Sequence, residues 1–221
     1  TVNPDDTTIQ AMGNTAIIYT GGLTMSTMLD GFTVIGGNSI SLSTSTGIVC
    51  SNASPTIQNN KIYGGRASNI SHGIFLQSSS SLIFNNVING GLSDTSGGGN
   101  NNYAILTQNA SIPIIKSNII SGPTGEESTY RIKCESSSDA IIEDNTISVL
   151  SDHMDFTNGK TAKGILANSS SPIIENNSIL SNNSVGIAIK GENTSFQIIN
   201  NIQIDKLISL IFNSGELFPG S

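Results

Sequence analysis

PIIENNSILSNNSVGIAI, residues Pro172 to Ile189, returns in shorter or longer form along most of the 221-residue chain. Its first half recurs as Ile57–Ile62, Ile83–Ile88, Ile115–Ile120, Ile142–Ile147 and Ile174–Ile179, each reading Ile, two residues, Asn, one residue, Ile. Leu29–Val34 is a variant with Phe32 in place of the Asn, and Ile198–Ile204 fits as a seventh copy with a one-residue slip. The recurring Asn falls at Asn60, Asn86, Asn118, Asn145, Asn177 and Asn201, a unit of about 24 to 32 residues, within the range that signals stacked repeats.

Between these turns the apolar residues come in short alternating runs, such as Gly73-Ile74-Phe75-Leu76 and Gly186-Ile187-Ala188-Ile189, bounded by Ser, Asn and Gly. That is the period-two pattern of strands separated by tight turns, and no run has helical periodicity. A single unit cannot bury its inward Ile and Leu, whereas like units piled at ~4.8 Å bury a continuous column of them. The sequence therefore predicts an all-β fold, a single-stranded right-handed parallel β-helix (solenoid) of about seven to eight rungs. Asn tolerates left-handed backbone, and its amide donates to one neighbour while accepting from another, so the six Asn should stack as a ladder. Phe32 should close that stack with an apolar plug.

Rungs that read as Pro or an apolar residue, Ile, a polar residue, Asn-Asn, a polar residue and Ile, followed by Gly-Gly and later Gly-Ile, resemble those of the parallel β-helix repeat family, which includes the pectate-lyase-like solenoids. The resemblance runs from about Thr7 to Ile204. Members of that family include polysaccharide lyases, glycosidases, epimerases, phage tail proteins and cell-surface proteins, so the resemblance implies a fold and no single activity.

Only 11% of the residues are charged, the formal charge is −7, and the nine Lys and Arg are scattered. Nucleic-acid binding, which needs a basic face, is excluded. No apolar run approaches the length of a membrane-spanning helix and no basic-then-apolar leader opens the sequence, so neither membrane insertion nor a signal peptide is expected within it. Low charge, abundant Ser and Asn and few aromatic residues resemble extracellular β-solenoids, which makes secretion or surface display the expected location. Cys50 and Cys134 end equivalent strands three rungs apart, roughly 14 Å at the stacking distance, beyond the reach of a disulfide. Both are expected to be buried free thiols.

Residues 1–221 read as one elongated domain: an irregular first rung over 1–27 opened by an Asn3-Pro4-Asp5-Asp6 turn, regular rungs over 28–204, and over 205–221 a final strand, Leu207–Phe212, with a tail. No cap is evident, and uncovered strand edges at either end would suit self-association or continuation in a longer polypeptide. The rungs differ chiefly between the Gly-Gly turn and the Gly-Ile strand, where 64–73 is short, 122–130 is moderate, and 90–102 and 148–163 are long. Loops leaving from one corner should form a rim beside the strand that follows, the usual place for binding in repeat proteins.

Enzymes of the resembled family carry their groove on the outer face of that strand. Taking Ile74 and Leu76 as inward gives an outward column of Val49, Phe75, Ile105, Lys133, Leu166 and Ala188, and a second of Ser51, Gln77, Thr107, Glu135, Asn168 and Lys190. Neither holds the carboxylate pair of a glycosidase or the oxygen-ligand cluster of a calcium-dependent lyase. Arg131-Ile132-Lys133 resembles the Arg-Ile-Lys of polygalacturonases and His72 stands before Gly73 much as their catalytic His does, but the Asn-Thr-Asp and Asp-Asp partners are missing. On the residues alone His72 reads as a solvated loop residue, and Arg131 and Lys133 as rim charges balancing Glu126, Glu127 and Glu135.

The densest polar run is Asp152-His153-Met154-Asp155, near Lys160 and Lys163. Two carboxylates and an imidazole suit a divalent metal or acid–base chemistry, although such a run in a loop is ordinarily just solvated. The weak catalytic candidates are thus Asp152, His153, Asp155 and Lys133. The binding candidates are Tyr130, Arg131, Lys133, Glu135, Asp152, His153 and Phe75, and no metal site is assigned. No cofactor is called for, calcium apart, which would bridge an acidic polysaccharide to an acidic protein. Sugar-stacking candidates are Tyr63, Phe75, Phe84, Tyr103, Tyr130 and Phe156.

The first outward column is mostly apolar where a solvated face should be polar, which marks an interface or a surface under loops. The expected function is a non-catalytic extracellular or surface scaffold or binding module, with a polysaccharide or a surface protein as partner. The alternative is a polysaccharide-active enzyme, a lyase, glycoside hydrolase or epimerase, using the rim near 122–163.

Overall fold

A computed structural model of the chain describes residues 7–93, 101–122, 128–150, 162–182, 184–191 and 195–204. Their regular structure is entirely β, in three long parallel sheets and one small pair, Arg66–Ala67 with Leu92–Ser93. The first sheet stacks the long strands Thr15–Thr20, Thr44–Ser51, Ile70–Gln77, Asn101–Gln108, Ser128–Glu135, Ala162–Asn168 and Val185–Lys190. The second stacks Met28–Asp30, Thr56–Gln58, Leu82–Phe84, Ile114–Lys116, Ile141–Glu143, Ile173–Glu175 and Gln197–Ile199. The third stacks Thr8–Gln10, Thr33–Ile35, Lys61–Tyr63, Val87–Asn89, Ile119–Ser121, Thr146–Leu150, Ser178–Asn182 and Ile202–Ile204. The chain visits the sheets in rotation, so each rung gives one strand to each, and the molecule is a right-handed parallel β-helix. The expected strand Leu207–Phe212, the tail after it and the opening Asn3–Asp6 turn lie outside the described residues.

The core is a set of vertical columns. Ile57, Ile83, Ile115, Ile142 and Ile174 stack in the second sheet, Ile62, Ile88, Ile120 and Ile147 in the third, and Ile48, Ile74, Ile105, Ile132 and Ile165 in the first, all with no exposed surface. Burying each such side chain contributes ~1.5–3 kcal/mol, and only stacking supplies that burial. The seventh copy needs no slip, because Ile174 pairs with Ile198 and Ile179 with Gln203.

The Asn ladder is continuous. The side-chain Oδ1 of Asn118 accepts from both the backbone N–H of Asn86 (2.9 Å) and its Nδ2 (3.1 Å), and Asn145, Asn177 and Asn201 repeat the pattern on Asn118, Asn145 and Asn177. Each Nδ2 also donates to a carbonyl of the preceding rung, as Asn86 does to Ile57 at 2.8 Å. The ladder ends where Phe32, half-buried against the core, donates its N–H to Asn60 Oδ1 at 2.9 Å. The left-handed backbone sits one residue earlier than expected: Gly31, Asn59, Asn85, Ser117, Asp144, Asn176 and Asn200 have φ between 50° and 78°. That residue makes the turn, and the ladder Asn is thereby swung inward with its amide along the stack.

Two serine pairs lie at the corner after the long strand. Ser79 N–H donates to Ser111 Oγ, and Ser138 N–H to Ser170 Oγ, both at 3.1 Å, with all four serines buried. Cys50 and Cys134 occupy one inward column, separated by Leu76 and Thr107, and burial pushes both thiols up to about 12.

Two measurements check this arrangement. Asn118→Ala strips the acceptor from two buried donors and should cost about 2–4 kcal/mol in urea unfolding, whereas Asn201→Ala, at the partly exposed last step, should cost less than half of that; equal losses would contradict the ladder. Non-reducing peptide mapping should recover both cysteines as thiols, unlabelled by a thiol reagent at pH 8 until the protein is unfolded, and a Cys50–Cys134 bridge would overturn the register.

Candidate functional site

The outer face of the first sheet is built by a break in strand alternation. In Ile70–Gln77, His72 faces out, Gly73 and Ile74 face in, and Phe75 faces out again, so the strand bends at Gly73. A Cβ on Gly73 would lie 2.6 Å from the carbonyl oxygen of Ala104 and 3.0 Å from that of Asn89, so the bend leaves no room for a side chain there. Gly47, Gly164 and Gly186 hold the same place in other rungs, between paired positions of the ladder.

Two outward columns result, and one rung of each differs from the sequence reading. Val49, Phe75, Leu106, Lys133, Leu166 and Ala188 form one, and Ser51, Gln77, Gln108, Glu135, Asn168 and Lys190 the other. Leu106 and Gln108 replace Ile105 and Thr107, which face inward. In that rung Ala104 occupies the glycine position, so the Gly-Ile marker that fixes register elsewhere is absent.

A third outward column, before the bend, runs Thr46, His72, Tyr103, Tyr130, Lys163 and Val185. Its rings stack face to face: His72 on Tyr103 and Tyr103 on Tyr130, each with centroids 5.2 Å apart, and Phe75 lies against His72 at the same distance. Lys163 Nζ sits 5.2 Å from the Tyr130 centroid, and Lys133 Nζ stands beside both tyrosines at 5.5 and 5.6 Å. Lys133 also bonds Glu135 at 2.6 Å. Leu166, Val185 and Ala188 pack with Tyr130 into a small apolar cluster outside the main core.

His72 is therefore not a solvated loop residue. It is 8% exposed, in contact with Thr46 Oγ1 through Nδ1 (3.3 Å), and burial lowers its pKa to about 4. Burial first, then the charges of Lys190 and Lys133, lowers Lys163 to about 8. Tyr103 is raised by burial and by Tyr130 and Glu135.

Arg131 is likewise not a rim charge. It stands in the glycine column, 1% exposed, with Nε donating to the Ser148 carbonyl (2.7 Å) and an Nη to Thr129 Oγ1 (2.9 Å). Burial brings it down to about 10, so it stays protonated at neutral pH. Its guanidinium fills the corner against Gly122, below the outer face rather than on it.

The structure thus brings together Tyr130, Lys133, Glu135 and Phe75 of the expected binding set and adds His72, Tyr103, Lys163 and Lys190. Asp152, His153, Asp155, Lys160, Phe156, Glu126 and Glu127 lie outside the described residues. Tyr103 and Tyr130 do not offer the open stacking faces expected of them: Tyr103 is sandwiched between His72 and Tyr130, and Tyr130 between Tyr103 and Lys163. Their faces are taken. Tyr63, on the third sheet, remains exposed.

The buried neutral imidazole makes stability pH-dependent. With a folded pKa of about 4 and an unfolded one near 6.5, the unfolded chain binds the extra proton between these values. Stability from this group is complete above pH ~6.5 and drains as pH falls towards 4, by up to roughly 3 kcal/mol. Urea unfolding of wild type and His72→Gln at pH 7.5 and 4.5 should show the smaller pH loss in the variant, and parallel losses would contradict this assignment.

The family model for the right-handed beta helix region matches residues 46–206. Comparison with curated proteins and with solved structures gives no match. With three parallel sheets, seven aligned turns and a family match over most of its length, the chain belongs to the right-handed β-helix family.

Proposed function

We propose that this protein is a non-catalytic scaffold or binding module, secreted or displayed on the cell surface, and that the outer face of the first sheet is its contact surface. The composition of that face is what supports the reading. Val49 and Phe75 are half-buried at the accessible part of an apolar column that continues through Leu106, Leu166 and Ala188, which are buried; Lys133 interrupts that column, and Glu135, Asn168 and Lys190 stand in the next. An apolar centre with a charged margin is the make-up of a contact surface rather than of a solvated sheet. Side chains repeat along it every ~4.8 Å, a regular row that suits an extended chain, whether a polysaccharide or a segment of a surface protein. The Lys133–Glu135 pair sits at its edge as a polar anchor that also orients Lys133 against the tyrosines.

Affinity electrophoresis through gels cast with neutral and acidic polysaccharides, with and without calcium, should retard the protein in at least one gel, and Phe75→Ser should relieve the retardation. The same polysaccharides incubated with the protein should release no unsaturated or reducing ends. Release that disappears in Lys133→Ala would overturn the reading in favour of a polysaccharide-active enzyme using the rim near 122–163. Free migration in every gel would remove its carbohydrate-binding part.

A further inference from the structure

The first circuit of the chain, Thr8–Gln10, Thr15–Thr20 and Met28–Asp30, gives each of the three long sheets its terminal strand. Ile17 and Tyr19, paired with the fully buried Ile48 and Cys50 of the next circuit, are only half-buried, as is Ile9, which pairs with Val34. Among the described residues no strand pairs with the outer edges of these three, so this end presents an apolar cross-section ringed by unpaired backbone groups. Five large apolar side chains of the same circuit, Met12, Ile18, Leu23, Met25 and Met28, are exposed. Three of the chain's four methionines thus stand here, and their flexible thioethers suit a surface that moulds itself to another.

Free sheet edges are ordinarily blunted with charged residues or Pro. Residues 7–29 contain no Asp, Glu, Lys, Arg or Pro, and over residues 7–60 the one charged side chain is Asp30. Its carboxylate is held toward the second circuit by Gln58 Nε2 (3.0 Å) and Asn59 Nδ2 (2.8 Å).

We propose that this end is a homodimer interface: two copies of the chain meet first circuit to first circuit about a two-fold axis, and Thr15–Thr20 of each pairs antiparallel with its counterpart. Charge selects the occupant. Two molecules of formal charge −7 repel where their acidic surfaces approach, and this end lets them meet with little repulsion. A two-fold contact joins a surface to itself, so an uncharged apolar end needs no second complementary patch, and the assembly closes at two copies. In the register that sets Ile18 opposite its own copy, Ile17 faces Tyr19 on the inner side. The two cores then become continuous, and the free backbone groups of both edge strands are paired. The two first sheets join into one, which extends the outer face without altering the contact surface proposed above.

Sedimentation velocity of the full chain over a wide concentration range should show a monomer–dimer equilibrium that stops at two copies. Ile18→Lys, at a side chain 64% exposed in the single copy, should leave the circular dichroism unchanged and raise the dimer dissociation constant about tenfold or more. Met12→Glu, at a fully exposed side chain, should also weaken the dimer, whereas Ile119→Lys, exposed on the third sheet away from this end, should not. Mild oxidation of Ile18→Cys should give a disulfide-linked dimer, because the two-fold axis brings the new thiols together while Cys50 and Cys134 stay buried. A monomer at every concentration, association untouched by Ile18→Lys, growth into longer oligomers, or an associating Ile18→Cys variant that does not crosslink overturns the proposal. Each of these outcomes leaves the contact surface of the first sheet to be judged by the polysaccharide gels alone.

Discussion

Each rung of this molecule hands one buried backbone N–H to the side-chain oxygen of an asparagine in the next rung. Five consecutive steps of this kind, from Asn60 to Asn201, hold the turn between the second and third sheets in vertical register. A slip by one residue would strand a donor inside the protein and turn the Ile columns to solvent, so hydrogen bonding and hydrophobic burial penalise the same error. Everything outward of the core inherits this alignment. The aromatic column of His72, Tyr103 and Tyr130 stacks at 5.2 Å because the strands beneath it are in register.

That inheritance also decides which basic residues reach the outer face and where they stand on it. Lys163 pairs with Tyr130, Lys133 with Leu166 and Lys190 with Asn168, so the three lysines stand in three different columns of that face. Two different environments follow. Arg131, turned inward at the bend, satisfies its guanidinium on Ser148 and Thr129 and acts as packing. Two residues on, Lys133 faces outward and keeps part of its side chain accessible. The polygalacturonase-like tripeptide is thus split between the interior and the surface.

The periodic part of the fold was legible in the sequence, because Ile and Asn recur at fixed spacing and each has one physical reason to do so. The serine pairs were not, although Ser79, Ser111, Ser138 and Ser170 each lie seven residues ahead of a ladder Asn. In a chain rich in serine the signal is submerged. Ile105 misleads because Ala104 stands where Gly73 and Gly164 mark the bend in other rungs, as Ala16 stands against Gly47. The burial of His72 was invisible for a different reason: an outward residue is covered largely by what the neighbouring rungs place beside it, here Tyr103 and Thr46, with Phe75 of its own strand folding against the ring.

Hydrogen–deuterium exchange at single-amide resolution tests the central claim most directly. The backbone amides of Asn60, Asn86, Asn118 and Asn145 should exchange together and among the slowest in the protein, since all four open only when rungs separate. Exchange at the rate of an exposed turn residue such as Met12 would mean that the asparagines are ordinary turn residues, and the alignment of the outer face would lose its basis.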